Sequence, residues 1–354
     1  MSHRSRRRML TIVLLLLVAL GLAAWGTIHH LSAPRWNGPV SDHFDGERFH
    51  NLEPTPDKSL ADVLRWKMRS ERAGVPAWIE SEPGPPPPRR VGDGALRVTL
   101  VNHATLLVQM DGVNFLTDPV WSERVGPFSW AGPKRHRAPG LRLGDLPPVD
   151  VVLVSHNHYD HMDVPTLRAI TTAHDPHVVV PLGNRAHLDR FGLPGATEVD
   201  WGDTVELGNG VRVTALPARH WSSRTMGDRR RTLWAAYLIE GPSGRVYVAG
   251  DTGYGSHLAA AGEAYGPFRL ALLPVGAFRP RWFMHSVHVA PDEALRAATE
   301  LRARTSVPMH YGTFQLGDDG LMEPVDTLRA DLARLGPSAP RVLVLEHGVG
   351  VEVE

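Results

Sequence analysis

The stretch 155–163, "SHNHYDHMD", follows the apolar run "VVLV" (151–154) and packs three histidines and two aspartates into nine positions. A continuous β-branched run reads as a buried strand. A strand ending at Ser155 leaves His156, His158, Asp160 and His161 on the loop and first helical turn beyond it, where side chains converge at a sheet edge. Imidazole and carboxylate are ligands of zinc and similar borderline ions, so HxHxDH reads as a metal site. Two ions sharing a ligand need about six or seven such residues. The downstream chain offers them after strand-like runs: His220 in "LPARHWS", Asp251 in "VYVAGDTGY" and His310 in "SVPMHYGTF".

Around this centre the chain reads as short strands and helices in alternation. "LRVTLV", "TLLVQM" and "VNFLTD" have the spacing of antiparallel strands, whereas "VVLVS", "HVVVP" and "LALLPV" are the unbroken apolar runs of buried strands. Helical patterns fall near 164–173, 256–264, 291–304 and 325–335, the third opening on Pro291 and Asp292 as a first turn favours. Two series of strands, each interrupted by helices, predict two mixed sheets packed face to face with helices outside. A hydrophobic content of 42% in 354 residues supplies a sizeable core. An α/β domain of about 250 residues leaves room for appendages.

Charge and cysteine narrow the chemistry. Basic and acidic residues number 38 each, and no basic stripe runs through the body of the chain, which argues against a nucleic-acid partner. With no cysteine there is no disulfide framework and no thiolate site, so any metal must take imidazole and carboxylate.

The N-terminal part carries other signals. Arg4, Arg6, Arg7 and Arg8 form a basic tail over 1–8, followed by an apolar stretch from Met9 to Ile28 long enough for a bilayer core of about 30 Å. This reads as a transmembrane anchor with the tail cytoplasmic and the rest of the chain on the extracytoplasmic side. The alternative is a signal peptide cleaved near "GLAAWG", although a secretory apolar region usually has only about 7–15 residues. Residues 29–90 are a juxtamembrane segment ending in the stiff spacer "EPGPPPPRR", and the main domain spans 91–354. Within that segment "SLADVLRWKMRSERAG" (59–74) predicts a helix with Ser59 as N-cap and Leu60, Val63, Leu64 and Met68 at helical spacing among basic residues. The expected place of this helix is against the domain, with an interfacial position on anionic lipid as the alternative.

The order HxHxDH, His, Asp in "AGDTGY", then His resembles the metallo-β-lactamase superfamily. "FDGERFHN", "LTDPVWSERVGPFSWAGPKRHRAPG", "GAFRPRWFMHSVHVAPDEAL" and "MHYGTFQL" resemble more narrowly its N-acylphosphatidylethanolamine-hydrolysing phospholipase D branch, over about residues 43–320. The resemblance implies an αββα sandwich and two Zn²⁺ or similar divalent ions. One would be held by His156, His158 and His220, the other by Asp160, His161 and His310, with Asp251 between them. It implies a phosphodiesterase acting on a membrane phospholipid, since bound metal lowers the pKa of water toward ~7 and neutralises charge on the phosphoryl group. Asp160 and His288 are the catalytic candidates in this reading, and Tyr159 and His288 contact substrate. Asp118 in "LTDPVW" orients a ligand histidine, or else is a turn residue before Pro119. Alternatives that keep the ligands are a hydrolase of a soluble lactone or phosphodiester and a non-enzymatic metal-binding module; the second would be expected to show a broken ligand set, and none is broken here.

Overall fold

The computed structural model describes residues 3–208 and 210–354. It opens with α1 (His3–Leu31) and α2 (Leu60–Arg69), followed by the meander β1 (Leu96–Asn102), β2 (Thr105–Met110) and β3 (Val113–Thr117). Then come β4 (Val151–Leu153), α3 (Val164–His174), β5 (His177–Pro181), α4 (Asn184–Arg190) and β6 (Thr197–Val199). A second meander of β7 (Thr204–Gly208), β8 (Val211–Leu216), β9 (Ala236–Gly241) and β10 (Gly244–Val248) leads to α5 (Ser256–Tyr265) and β11 (Leu270–Pro274). The chain closes with α6 (Arg281–Met284), α7 (Pro291–Glu300), β12 (Ser306–Met309), α8 (Glu323–Leu335) and β13 (Gly350–Glu352).

The strands form two mixed sheets. The first has seven strands in the order β13-β1-β2-β3-β4-β5-β6, the second six in the order β12-β11-β10-β9-β8-β7. In each, the meander is antiparallel and the strands joined through helices are parallel. The period-two alternation of a strand assigns the two faces of the first sheet. Leu106, Val108, Val151 and Leu153 point to the core shared with Val213, Tyr237 and Ile239 of the second sheet. Leu107, Val152 and Val154 point the other way, onto Leu167 and Ile170 of α3 and Leu188 of α4. Helix α7 packs on β11 between α5 and α8 and covers the second sheet. This is the αββα sandwich that the strand pattern and the resemblance imply.

Two local boundaries differ from expectation. The strand before the metal motif ends at Leu153, not Ser155. The Ser155 amide donates to Asp118 Oδ1 at 2.7 Å, which takes it out of the sheet ladder and turns the chain. The residues beyond form a tight turn in which His161 and Met162 donate to the His158 carbonyl, and helix begins only at Val164.

Helix α1 continues from His3 through the expected span, and Leu10–Leu31 is long and apolar enough to cross a membrane by length and composition. The first two residues of the expected basic tail lie outside the described residues. Residues 29–90 lie against the domain. Phe44 and Phe49 are buried in its core, Gly84 N donates to Gly140 O, and Gln109 Nε2 donates to Pro88 O. Arg190 Nη1 donates to the carbonyls of His29 and Ser32, holding the end of α1 to α4.

Candidate metal centre

Strand ends bring the ligand-type residues to one edge of the sandwich. His156, His158, Asp160 and His161 follow β4, His220 follows β8, Asp251 follows β10, and His310 follows β12. The backbone is shaped for this: His310 sits at φ 64°, and its amide donates to the His103 carbonyl at 2.8 Å. Asp118 sits at φ 37°, a left-handed conformation that Asp tolerates better than most residues.

The ring nitrogens and carboxylates meet in overlapping groups. His156 Nε2 lies 2.7 Å from His158 Nδ1, and His220 Nε2 lies 3.3 Å from the same atom. On the other side, His161 Nε2 and His310 Nε2 each lie 3.2 Å from Asp251 Oδ2, and 3.3 and 3.5 Å from Asp160 Oδ2. Asp251 Oδ2 also lies 3.7 Å from His220 Nε2, so this carboxylate faces both sides. Groups of three or four such atoms lie close enough to hold an ion: His156, His158 and His220, and Asp160, His161 and His310 together with His103.

Several of these atoms have no hydrogen-bond partner although they are buried. His161 Nε2, His310 Nε2 and Asp251 Oδ1 are all in this state among the described residues. Buried polar atoms are nearly always paired, and an inward-facing set of lone pairs on imidazole and carboxylate is the donor chemistry of a divalent ion. The residues fit metal.

Protonation follows the same division. Burial drives His156 and His220 well below the ordinary histidine value and His158 to about 3, keeping these rings neutral, which is the form that ligates. For His310 burial works against the charge, but Asp251 and Asp160 outweigh it and lift the ring to about 9. Burial would likewise neutralise Asp251, yet His310 and His161 hold it ionised.

Groups behind the ligands fix their orientation. The Asp118 carboxylate accepts from Ser155 N, Ser155 Oγ and His161 Nδ1 at 2.7, 2.7 and 2.8 Å. The proton held on His161 Nδ1 leaves Nε2 as the lone-pair nitrogen. His220 Nδ1 donates to the Val287 carbonyl at 2.9 Å with the same effect. Arg224 donates to the carbonyls of Asn157 and Met162, and its guanidinium lies 3.6 Å from the Tyr159 ring centroid, so one buried cation braces the whole motif.

The remaining expected site residues are also here. Tyr159 packs beside the motif with its hydroxyl unpartnered. His288 projects from the turn after α6, its Nδ1 unpartnered and 3.9 Å from Asp251 Oδ2. Its ring nitrogen groups with His220 and Asp251, which puts it at the edge of the ligand set itself. Burial pushes its pKa down to about 4.

Besides Arg224, two residues escape the sequence reading. His103, fully enclosed, places Nε2 3.0 Å from Asp160 Oδ2. Asn51 accepts from His220 N and donates to His220 O, at 3.0 and 2.9 Å, while also accepting from Trp234 Nε1. A histidine between two buried strands is the one signal that could have drawn attention to His103; for Asn51 it is the place at the end of the block "FDGERFHN".

A family described as beta-lactamase superfamily domain matches residues 113–311. N-acyl-phosphatidylethanolamine-hydrolyzing phospholipase D 1 of Caenorhabditis elegans is 40% identical over 249 residues, 67% of this chain and 70% of its own. A metal-dependent hydrolase of Methanopyrus kandleri is 31% identical over 262 residues, 73% of this chain and 100% of its own. A solved metallo hydrolase from Ignicoccus hospitalis shares the fold at TM-score 0.55 and 22% identity, over 73% of this chain and 99% of its own. The chain belongs to the metallo-β-lactamase superfamily, in its N-acylphosphatidylethanolamine-hydrolysing phospholipase D-like branch, and is a metal-dependent hydrolase of that fold.

Proposed function

We infer that this is a binuclear zinc phosphodiesterase that cleaves N-acylphosphatidylethanolamine, or a related phospholipid, on the head-group side of the phosphate. The observation that carries the reading is the double-sided set of donors, with His156, His158 and His220 on one side, Asp160, His161 and His310 on the other, and Asp251 facing both. Bound ions would supply an activated water and neutralise charge on the phosphoryl oxygens. The chain's own part is to orient: Asp118 and the Val287 carbonyl fix the ring tautomers, and Arg224 braces the loop. His288, with an unpartnered ring nitrogen 3.9 Å from Asp251 Oδ2, would hold the substrate phosphate or head group, and Tyr159, within the motif itself, would be a second substrate contact. Relatives named for this phospholipid activity support the substrate class.

The apolar helix α1 has the length and composition of a membrane anchor, and on our reading the basic residues ahead of it would stay cytoplasmic with the catalytic domain on the extracytoplasmic side. The test of the reading is turnover of the zinc-loaded full chain against phospholipid diesters, soluble diesters, lactones and β-lactams. Release of head-group alcohol and a phosphatidate product is expected, and turnover confined to lactones or β-lactams would overturn it.

A further inference from the structure

The helix that the sequence places against the domain presents its apolar stripe to the outside. Ser59 and Asp62 cap α2 reciprocally, so the helix is set locally by its own first turn. Its inner side is Asp62, Val63 and Trp66, the half-buried positions. Trp66 stacks on Phe283 with centroids 4.8 Å apart and donates to Asp318 Oδ1 at 3.0 Å. At 100° per residue, Leu60, Leu64 and Met68 fall on the opposite side, and they are 65, 53 and 80% exposed. None of the helix is buried.

Charge flanks that stripe. Lys67 borders it on one side and Arg65 and Arg69 on the other, all exposed. The segment 58–72 carries five basic residues against two acidic ones, in a chain whose net charge is zero. An outward apolar stripe between long basic side chains is the pattern of a helix lying in a bilayer interface, where the stems reach up to anionic phosphates.

The helix is joined to the metal centre. Arg65 lies over the ring of Trp282, 5.1 Å from its centroid, and Lys58 Nζ donates to the Trp282 carbonyl. Trp282, 40% exposed, belongs to α6, and Arg281 of the same helix donates to the carbonyl of His288 at 2.9 Å. An exposed tryptophan is a favoured residue at the membrane–water interface.

We propose that α2, with Trp282, is a seat for an anionic bilayer surface that holds the His288 side of the metal centre against the lipid. Its purpose rests on the phospholipid-substrate reading, whereas its existence does not. The absence of cysteine makes a direct test simple, because Met68→Cys offers a single attachment point in the full chain. With an environment-sensitive fluorophore there, protein reconstituted into phosphatidylcholine vesicles containing phosphatidylglycerol is expected to show apolar emission and quenching by brominated acyl chains. Vesicles of phosphatidylcholine alone should give a weaker response. Replacing Arg65, Lys67 and Arg69 together by Gln is expected to lower the ratio of seated to unseated label on the order of 100-fold, from roughly fivefold per basic residue.

A label that stays water-like on the anionic vesicles overturns the proposal. So does a shift that follows protein concentration in detergent without lipid, which assigns the face to a second copy of the chain. Emission is read independently of turnover, so the two readings fail separately. An inserted label on an enzyme that leaves phospholipid intact sustains the seat and removes the substrate reading. Hydrolysis of vesicle phospholipid with a water-exposed label removes the seat and sustains the substrate reading.

Discussion

Asp118 can be either a ligand-orienting carboxylate or a turn residue before Pro119, and Asp118→Asn separates the two. Asn tolerates the left-handed backbone at φ 37° as Asp does, so a turn role predicts little change. An orienting role predicts damage from the amide itself. Oδ1 accepts from Ser155 N, and Oδ2 accepts from both Ser155 Oγ and His161 Nδ1, so every contact demands an acceptor. With the amide nitrogen at the Oδ2 position, His161 must give up its Nδ1 proton and carry it on Nε2, which removes that lone pair from the metal centre. With the amide flipped, the buried Ser155 N–H faces another donor. Either arrangement forfeits at least one charge-assisted bond, worth about 1.5–3 kcal/mol. Metal affinity is expected to fall about 10–100-fold.

Asp118→Ala should be worse. It leaves the Ser155 amide and His161 Nδ1 unpaired at about 1–3 kcal/mol each, while the Ser155 hydroxyl keeps His156 Nδ1 within 2.9 Å. Alanine at this φ adds about 1–2 kcal/mol of strain. A loss of about 4 kcal/mol corresponds to a fall in Tm of roughly 8–16 °C for a domain of this size class. Chelator competition for metal affinity and thermal unfolding of loaded and stripped protein measure both effects. An Asp118→Asn protein with wild-type metal affinity would refute the orienting role and leave the turn.

Other outcomes follow from the same geometry. Elemental analysis is expected to find two metal equivalents in the wild-type chain and a loss at both sites in Asp251→Ala, because that carboxylate faces both; full occupancy in the variant counts against a shared ligand. Asn51→Ala removes both bonds to the His220 backbone and should cost about 2 kcal/mol in unfolding free energy, with metal affinity reduced; an unchanged affinity would make Asn51 a purely structural clamp. In stripped protein the His310 pKa is raised to about 9, so its charge stabilises the fold below the ordinary histidine pKa and that contribution is lost as pH rises through about 9. Metal loading at pH 7 should therefore release at least one proton, and apparent affinity should climb with pH toward 9; loading without proton release in weak buffer would contradict it. His288→Ala should retain metal yet lose on the order of 100-fold in rate. The loss should be equal for a p-nitrophenyl and an alkyl diester if His288 only positions substrate, and smaller for p-nitrophenyl if it protonates the leaving group.

What could be read from the sequence divides by distance along the chain. The HxHxDH motif lies within one loop, and His220, Asp251 and His310 each stand directly behind a strand-like run, so the short-range pattern already places them at strand ends. His103 reaches Asp160 across 57 positions and Asn51 reaches His220 across 169, and no periodicity carries such pairings. The same limit explains the end of β4. The residue that stops the strand is Asp118, 37 positions earlier, and a run of Val and Leu gives no sign that the Ser155 amide will leave the ladder.

Helix α2 shows a different gap. Spacing reveals a stripe of Leu60, Val63, Leu64 and Met68, of which the structure turns Val63 inward, but an amphipathic stripe has the same period whether it faces a protein core or a bilayer. The distinguishing quantity is what competes for the other side of the helix. Here Trp66 offers a larger apolar surface and an indole N–H, and Phe283 with the Asp318 carboxylate satisfies both. Once that ring is docked, geometry turns Leu60, Leu64 and Met68 outward. Removing the anchor should then reverse the preference: in Trp66→Ala the leucine stripe becomes the better face to bury. The helix would be expected to roll onto the domain, taking a fluorophore at position 68 out of reach of lipid quenchers even though the variant retains Arg65, Lys67 and Arg69.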